Sequence, residues 1–303
     1  MNTAEWQEWR SHIDRVVATE GHWAGILNGE GEPVWELEAG DYDLSTRNLD
    51  VTDGTLSVPV VTQSGDYHPL VLAYFGEAFG TDSATILEPG VNQGYMLCVQ
   101  YPGGIEGRMV STIEYPTLEP GPDGEPATLT FSTVELLGVL NFRLAASVPS
   151  TWGAQPFKQW GQDQGGLYQT ARDLSPLELS THSWMLTTAP KQSDVIDVEI
   201  NYSGKAVEQV AEVIQASLDA ADKLDGADPA FVVAPHGGGP VVRIAKRDEP
   251  VWGTVAETAR LAGVGLSARM WWPGDEPVTT VKGPRVWDRA MGVIRVIENG
   301  ETA

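Results

Sequence analysis

Cysteine is almost absent: Cys98 stands alone in 303 residues. That excludes an intrachain disulfide framework and any zinc site built on several cysteines. Basic residues are also scarce, with 19 Lys plus Arg against 42 Asp plus Glu and a net charge of −23. A general nucleic-acid binder is excluded, because neutralising phosphates needs a basic surface. An anionic membrane surface is disfavoured as a partner for the same reason. No apolar run approaches the roughly 18 residues of a membrane-spanning helix. The N-terminus is acidic and Trp-bearing, unlike a basic-then-apolar leader, so neither a signal peptide nor membrane insertion is expected.

Recognisable catalytic patterns are missing too. The five histidines (His12, His22, His68, His182 and His236) never fall in H-x-x-x-H or H-E-x-x-H spacing, which leaves a zinc hydrolase without ligands. His236-Gly237-Gly238-Gly239 resembles the oxyanion-hole turn of lipases and esterases, but the serine elbow G-x-S-x-G is absent. Gly265-Leu266-Ser267-Ala268-Arg269 comes nearest and lacks the second glycine. The glycines at 237–239 therefore read as a hairpin joining two strands. Acid pairs such as Glu36 with Asp41, or Asp163 with Asp173, arise by chance among 42 acids. Their spacing says nothing about the gap of about 5 to 9.5 Å that glycoside hydrolysis requires. Asp41-Tyr42-Asp43 lacks the calcium-loop pattern, and no phosphate loop or dinucleotide fingerprint occurs. No catalytic residue, metal ligand or cofactor is expected, and the chain does not read as an enzyme.

What is present is turn chemistry, β-alternation and tryptophan. The chain has 33 Gly, 20 Pro and 42% hydrophobic residues, a composition that builds real cores connected by many turns. At about 150 residues per domain, the length suggests two domains. Charge is uneven: residues 1–150 carry 22 acids and five bases, residues 151–303 carry 20 and 14. An N-terminal helix or arm is expected over 1–24, because Trp6, Trp9, Ile13, Val16 and Val17 share one stripe at helical spacing. Thr3 can cap it, and Glu5 favours its first turn. Residues 25–203 read as a β-rich domain, with strands at Val34–Leu37, Tyr42–Leu44, Thr55–Val60, Tyr95–Tyr101, Arg108–Tyr115 and Thr128–Phe131. The last three form an antiparallel meander with a long turn at Leu118–Pro126. Val134–Ala146 turns helical in period. Residues 149–192 form a long connection, and a strand at Asp194–Tyr202 follows.

Residues 204–303 read as a smaller α+β domain. A helix over Lys205–Leu224 aligns Val207, Val210, Ile214, Leu218 and Ala221. Strands follow at Phe231–Ala234 and Pro240–Ala245, then a helix at Val251–Ala262 and a strand at Leu266–Trp272. The tail Thr279–Ile297 is strand- or loop-like. The fold class is therefore α+β and β-rich, an antiparallel barrel-like domain followed by a smaller α+β one.

Eleven tryptophans need a home. Core packing, subunit interfaces and sugar stacking all use indoles. Trp6 and Trp9 lie on the leading helix, and Trp152 and Trp160 lie in the irregular connection. Trp271 and Trp272 are adjacent, so a strand points them to opposite faces, one toward a core and the other toward a partner. These six are the candidate subunit-interface residues.

Residues 35–60 hold Asn48-Leu49 and then Gly54-Thr55-Leu56-Ser57-Val58-Pro59. Together they resemble the opening of baseplate-hub and minor tail proteins of long-tailed bacteriophages. Tyr95–Tyr101, Gly107-Arg108-Met109-Val110 and Leu136–Leu144 are similar to later pieces of that family. So is the stretch from Val251-Trp252-Gly253 to Met270-Trp271-Trp272-Pro273-Gly274-Asp275, a pattern seen in minor tail proteins of phages infecting actinobacteria. The segment Gln63–Asn92 is longer than the family pattern. The resemblance implies a structural tail-tip component, assembled in the host cytoplasm and located in the virion. It implies a homotrimeric ring joining tail tube to tip, in contact with the distal tail ring, the tape measure and tip or fibre proteins. DNA would traverse that ring on ejection without specific binding, and its acidic walls would repel phosphates. A peripheral baseplate or receptor/glycan-binding tail protein is the alternative.

Overall fold

Helix α1 begins with a capping box. The Asn2 side chain accepts from the N–H groups of Ala4 (2.9 Å) and Glu5 (3.1 Å), and the Glu5 carboxylate accepts from Asn2 N–H (2.7 Å). The reciprocal pair satisfies amides that a helix start leaves open, so α1 runs Thr3–Glu20 with Asn2, not Thr3, as its cap. Gly21, at φ 86°, closes the other end by donating to Val17 O (3.0 Å), a left-handed position that suits glycine. The structure is a computed structural model and describes residues 1–37, 41–44, 49–75, 94–122, 125–145, 162–163, 172–173, 201–225, 228–245 and 249–299.

The protein is α+β and strand-rich. Its largest element is an antiparallel sheet of seven strands. They are β1 (Trp23–Leu27), β2 (Pro33–Glu36), β3 (Asp41–Asp43), β4 (Asp53–Pro59), β5 (Met96–Gln100), β6 (Arg108–Pro120) and β7 (Pro126–Glu135), in the order β2-β1-β5-β6-β7-β4-β3. The expected meander is β5-β6-β7. The strand β1 was not anticipated: Trp23-Ala24-Gly25-Ile26-Leu27 is apolar throughout and carries no alternation. All five residues are buried because both faces of β1 are covered.

The two edge strands β2 and β3 are consecutive in the chain. Leu37 and Asp41 are four residues apart, so they lie within about 15 Å of each other at full extension. The sheet must therefore curl until its edges approach, and it forms a half-barrel. Its concave side is packed. Ile26, Leu56, Val58, Leu97, Ile113, Leu129 and Phe131 meet Leu70, Val71 and Ala73 of α2 (Pro69–Phe75), with Trp35 and Tyr42 from the two edges against them. Side chains fill this interior, so it offers no passage.

After residue 200 come β10 (Asn201–Lys205), helix α4 (Ala206–Asp225), β11 (Phe231–His236), β12 (Val241–Ala245), helix α5 (Val251–Leu261), β13 (Val264–Trp271), the hairpin β14 (Val278–Thr280) with β15 (Gly283–Arg285), and β16 (Met291–Glu298). A two-residue pair, β8 (Gln162–Asp163) with β9 (Arg172–Asp173), lies earlier in the chain. On α4, Val207, Val210, Ile214 and Leu218 are buried as the 3.6-residue period requires, while Ala221 is half-buried. They share a core with Leu266, Ile294 and Val296 of the three-stranded sheet β11-β16-β13, and with Leu137, Leu140 and Ala145.

Two expectations change here. Val134–Ala146 is not one helix. Val134 and Glu135 remain in the β6–β7 ladder, opposite Thr112 and Ser111. A 3-10 turn at Leu136–Gly138 and the short α3 (Val139–Phe142) follow. Arg143 is already extended, its C=O accepting from Val251 N–H (2.8 Å), and Leu144 bridges to Pro250. Strand pairing at both ends overrides the helical period, which leaves Leu137 and Leu140 buried but Leu144 57% exposed.

The Gly237–Gly239 segment is not a hairpin. It links β11, parallel to β16, with β12, which pairs antiparallel with β10 in another sheet. The two strands it joins find different partners, and Glu298 accepts from both Gly238 N–H (2.9 Å) and Gly239 N–H (3.0 Å). The expected strand Asp194–Tyr202 is seen only from Asn201 onward and extends to Lys205; 194–200, and the connection 149–192 apart from β8 and β9, lie outside the described residues. The expected tail Thr279–Ile297 contains the β14–β15 hairpin and β16.

Candidate functional site

The convex side of the half-barrel meets α1 and the end of β13 around an arginine. Arg108 starts β6, where its side chain turns to that convex face and is 4% exposed. Its Nε donates to Gln100 Oε1 (2.8 Å), and its Nη1 donates to Met270 O (2.8 Å) and Asp275 Oδ2 (2.6 Å). The guanidinium lies over the Trp272 ring, 3.6 Å from the centroid, where the ring quadrupole attracts it. Asp275, 3% exposed, also accepts from Trp272 N–H (2.8 Å) and pairs with Arg10 of α1 (3.2 Å). One carboxylate thus ties α1, β6 and the turn after β13 together.

The indoles complete this node. Trp272 stands 5.8 Å from Trp6 and 6.5 Å from Trp23 between ring centroids, and its Nε1–H donates to Gly31 O (3.0 Å). Trp9 meets Trp23 edge-on at 6.3 Å. Trp271 points the other way, edge-on to Trp287 at 5.1 Å, with its Nε1–H donating to Glu276 O (2.9 Å).

Trp6, Trp271 and Trp272 are therefore corrected as interface candidates. Each is 1–2% exposed within its own chain. The adjacent pair does face opposite sides of β13, but α1 with the half-barrel covers one side and Trp287 with Val293 covers the other. Trp9 is half-buried. Trp152 and Trp160 lie outside the described residues.

Two concave regions adjoin these elements. A cleft of about 680 Å³ opens between the Gly103–Glu106 turn, the Gly274–Thr279 turn and the ends of β11 and β16. Arg295 and Glu106 form an ion pair in its wall, and Arg10 is held by Asp275. Both guanidiniums are engaged, and no Trp, Tyr or Phe among the described residues lines the cleft, so its walls offer no stacking platform of the kind a sugar uses. The second is a cavity of about 250 Å³ between the half-barrel and the C-terminal strands. Met96, Val134, Phe142, Phe231 and Met270 wall it, with Glu30, Glu114 and Glu135 among its lining. Burial drives the Glu135 carboxyl up to about 7 from its ordinary 4.5, against the pull of the Thr52 N–H and Arg269.

No group of three or more His, Cys, Asp or Glu side chains among the described residues could hold a metal ion. Cys98 is buried, and burial pushes its thiol up to about 12, which leaves it protonated and inert. No helix among the described residues is long and apolar enough to cross a membrane.

No protein-family model matches this chain, and no curated protein matches it.

The node's charged members escaped sequence reasoning. Arg108 and Asp275 are 167 positions apart, and nothing local links them. The available signal was solitary: Arg108 is the only Lys or Arg between Arg47 and Arg143, and it opens a strand. A lone cation in a β-run has to find an anion if it is buried.

Proposed function

We propose that this protein is a structural component of a phage tail tip, a baseplate hub or minor tail protein that joins the tail tube to the tip. The observation that carries this reading is where its resemblance-bearing segments fall. Gly54–Pro59, Tyr95–Tyr101 and Gly107–Val110 supply β4, β5 and the start of β6, strands of one curled antiparallel sheet. Met270–Asp275 ends β13 and folds back on that sheet through Arg108. A hub must pass load between tube and tip without deforming. Interlocking the half-barrel with the C-terminal part through a buried ion pair and packed indoles suits that duty.

In this reading the chain acts by assembly and not by catalysis. Copies of itself form a ring, a homotrimer, and the distal tail ring, tape measure and tip or fibre proteins are its neighbours in the virion. A closed ring needs two different complementary surfaces on every copy. Since Trp6, Trp271 and Trp272 are used internally, those surfaces are built from other residues. DNA crosses the ring during ejection, and a −23 chain gives it no adhesive wall.

Size-exclusion chromatography with light scattering on the purified chain, alone and mixed with the proteins of a tail tip, tests the reading. A trimer, or assembly on those proteins, is expected. A monomer that joins no tail protein refutes it, and a monomer that binds a sugar points to the receptor-binding alternative.

A further inference from the structure

A row of side chains crosses the convex face of the half-barrel. Met96 stands opposite Thr112, and Thr112 opposite Val134, and residues paired in this way share one face of a sheet. Their neighbours Leu97 and Ile113 belong to the packed interior, so the row looks outward, and it floors the 250 Å³ cavity. Phe231 and Met270 of the C-terminal part wall the far side, and Phe142 of α3 stands at the opening, 74% exposed. Around this apolar, polarisable floor come carboxylates from three elements: Glu30 from the β1–β2 turn, Glu114 from β6 and Glu135 from β7.

Those charges are incompletely matched. Glu114 is half-buried and makes no hydrogen bond or ion pair among the described residues. Arg269 acts on Glu135, and the N-terminal ammonium acts on Glu30, but neither cation lines the cavity. The site therefore repels anions and attracts a cation. A bare metal ion does not suit it, since no metal-holding group of acids occurs among the described residues. The fitting guest is a cation with an apolar body. At about 250 Å³ the cavity falls below the roughly 300–1,000 Å³ of sites for drug-sized ligands, which points to a single side chain.

We propose that this cavity is an anchor site for an arginine side chain carried by a partner protein. The apolar stem lies along Met96, Val134 and Met270 while the charged head stays at the opening. There the guanidinium stacks on the exposed Phe142 ring, and its fork of donors serves Glu114 together with Glu30. Lysine suits the site less well, because its compact ammonium is strongly hydrated and cannot stack. The fold already uses the same recognition internally, with Arg108 lying 3.6 Å over the Trp272 ring and donating to Asp275. The anchor site is independent of the tail-tip reading, and its test needs no tail protein.

Methionine-methyl NMR of the full chain, titrated with N-acetyl-arginine N-methylamide, tests the proposal. At pH 8 the Glu135 carboxyl, near 7, is mostly ionised. The Met96 and Met270 resonances should shift saturably with a midpoint of about 1–20 mM, the range open to a ligand of that size. The citrulline analogue keeps the shape and loses the charge, and should bind at least about tenfold more weakly. Phe142→Ala should weaken the arginine analogue about two- to fivefold, and Glu114→Gln at least about threefold. Phe142 is exposed and Glu114 unpaired among the described residues, so both variants keep the fold. No saturable shift, a citrulline or lysine analogue as tight as arginine, or unchanged binding in both variants overturns the proposal. Tighter binding of tetramethylammonium would assign the cavity to a free quaternary amine and overturn it equally.

Discussion

Arg108→Met is the sharpest test of how the fold is held together. The substitution keeps a long apolar side chain under Trp272 but removes the donors to Gln100 Oε1, Met270 O and Asp275 Oδ2. Breaking a buried ion pair from one side costs about 3–5 kcal/mol, because the remaining charge stays buried without its partner. Here Asp275 keeps Arg10 at 3.2 Å and the Trp272 N–H at 2.8 Å, which places the loss at the lower end, about 3 kcal/mol. The cation–π contact at 3.6 Å adds about 1 kcal/mol that is not independent of the pair. Urea unfolding followed by tryptophan fluorescence measures the difference. The melting temperature should drop by about 6–12 °C, at about 2–4 °C per kcal/mol. Adding Asp275→Asn removes the carboxylate that has lost its main partner, so the double variant should recover at least about 1 kcal/mol relative to simple addition. A loss below about 1 kcal/mol for Arg108→Met, or strict additivity in the pair, would show that the node is decorative and refute the reasoning.

Two further expectations concern packing and thiol chemistry. A Cβ at Gly292 would stand 2.3 Å from Phe231 Cδ1, so Gly292→Ala should cost about 1–3 kcal/mol through overpacking; an unchanged urea midpoint would show that Phe231 can move aside. Cys98 is fully buried with its thiol near 12, so a thiol-reactive dye should label it only at the rate of opening, and in denaturant at once. Immediate labelling of the folded chain at pH 8 would contradict the packing of β5.

Much of the fold was legible because the relevant physics is local. The α4 stripe is set by helical geometry alone, and its four deepest members are buried where the period puts them. Strands β4, β5 and β6 show as alternation bounded by turn residues. β1 was invisible because a strand covered on both faces has no alternation to detect. The segment after Val134 misled because its period is helical while its ends are captured by β6 and by Pro250 and Val251. The glycines at 237–239 look like a hairpin until the partners of the flanking strands are known.

The tryptophans mark the boundary between the two kinds of information. The sequence alone determined that Trp271 and Trp272 diverge, since successive side chains on a strand point apart. It also determined the chain's acidity and its lack of cysteine chemistry. Only the tertiary structure decided that both indoles are covered, that Arg108 finds Asp275 and that Glu135 borders a cavity. Each of these depends on surfaces brought together from distant parts of the chain, and whether a side chain meets protein or water is a property of the assembled layers, to which short-range spacing is blind.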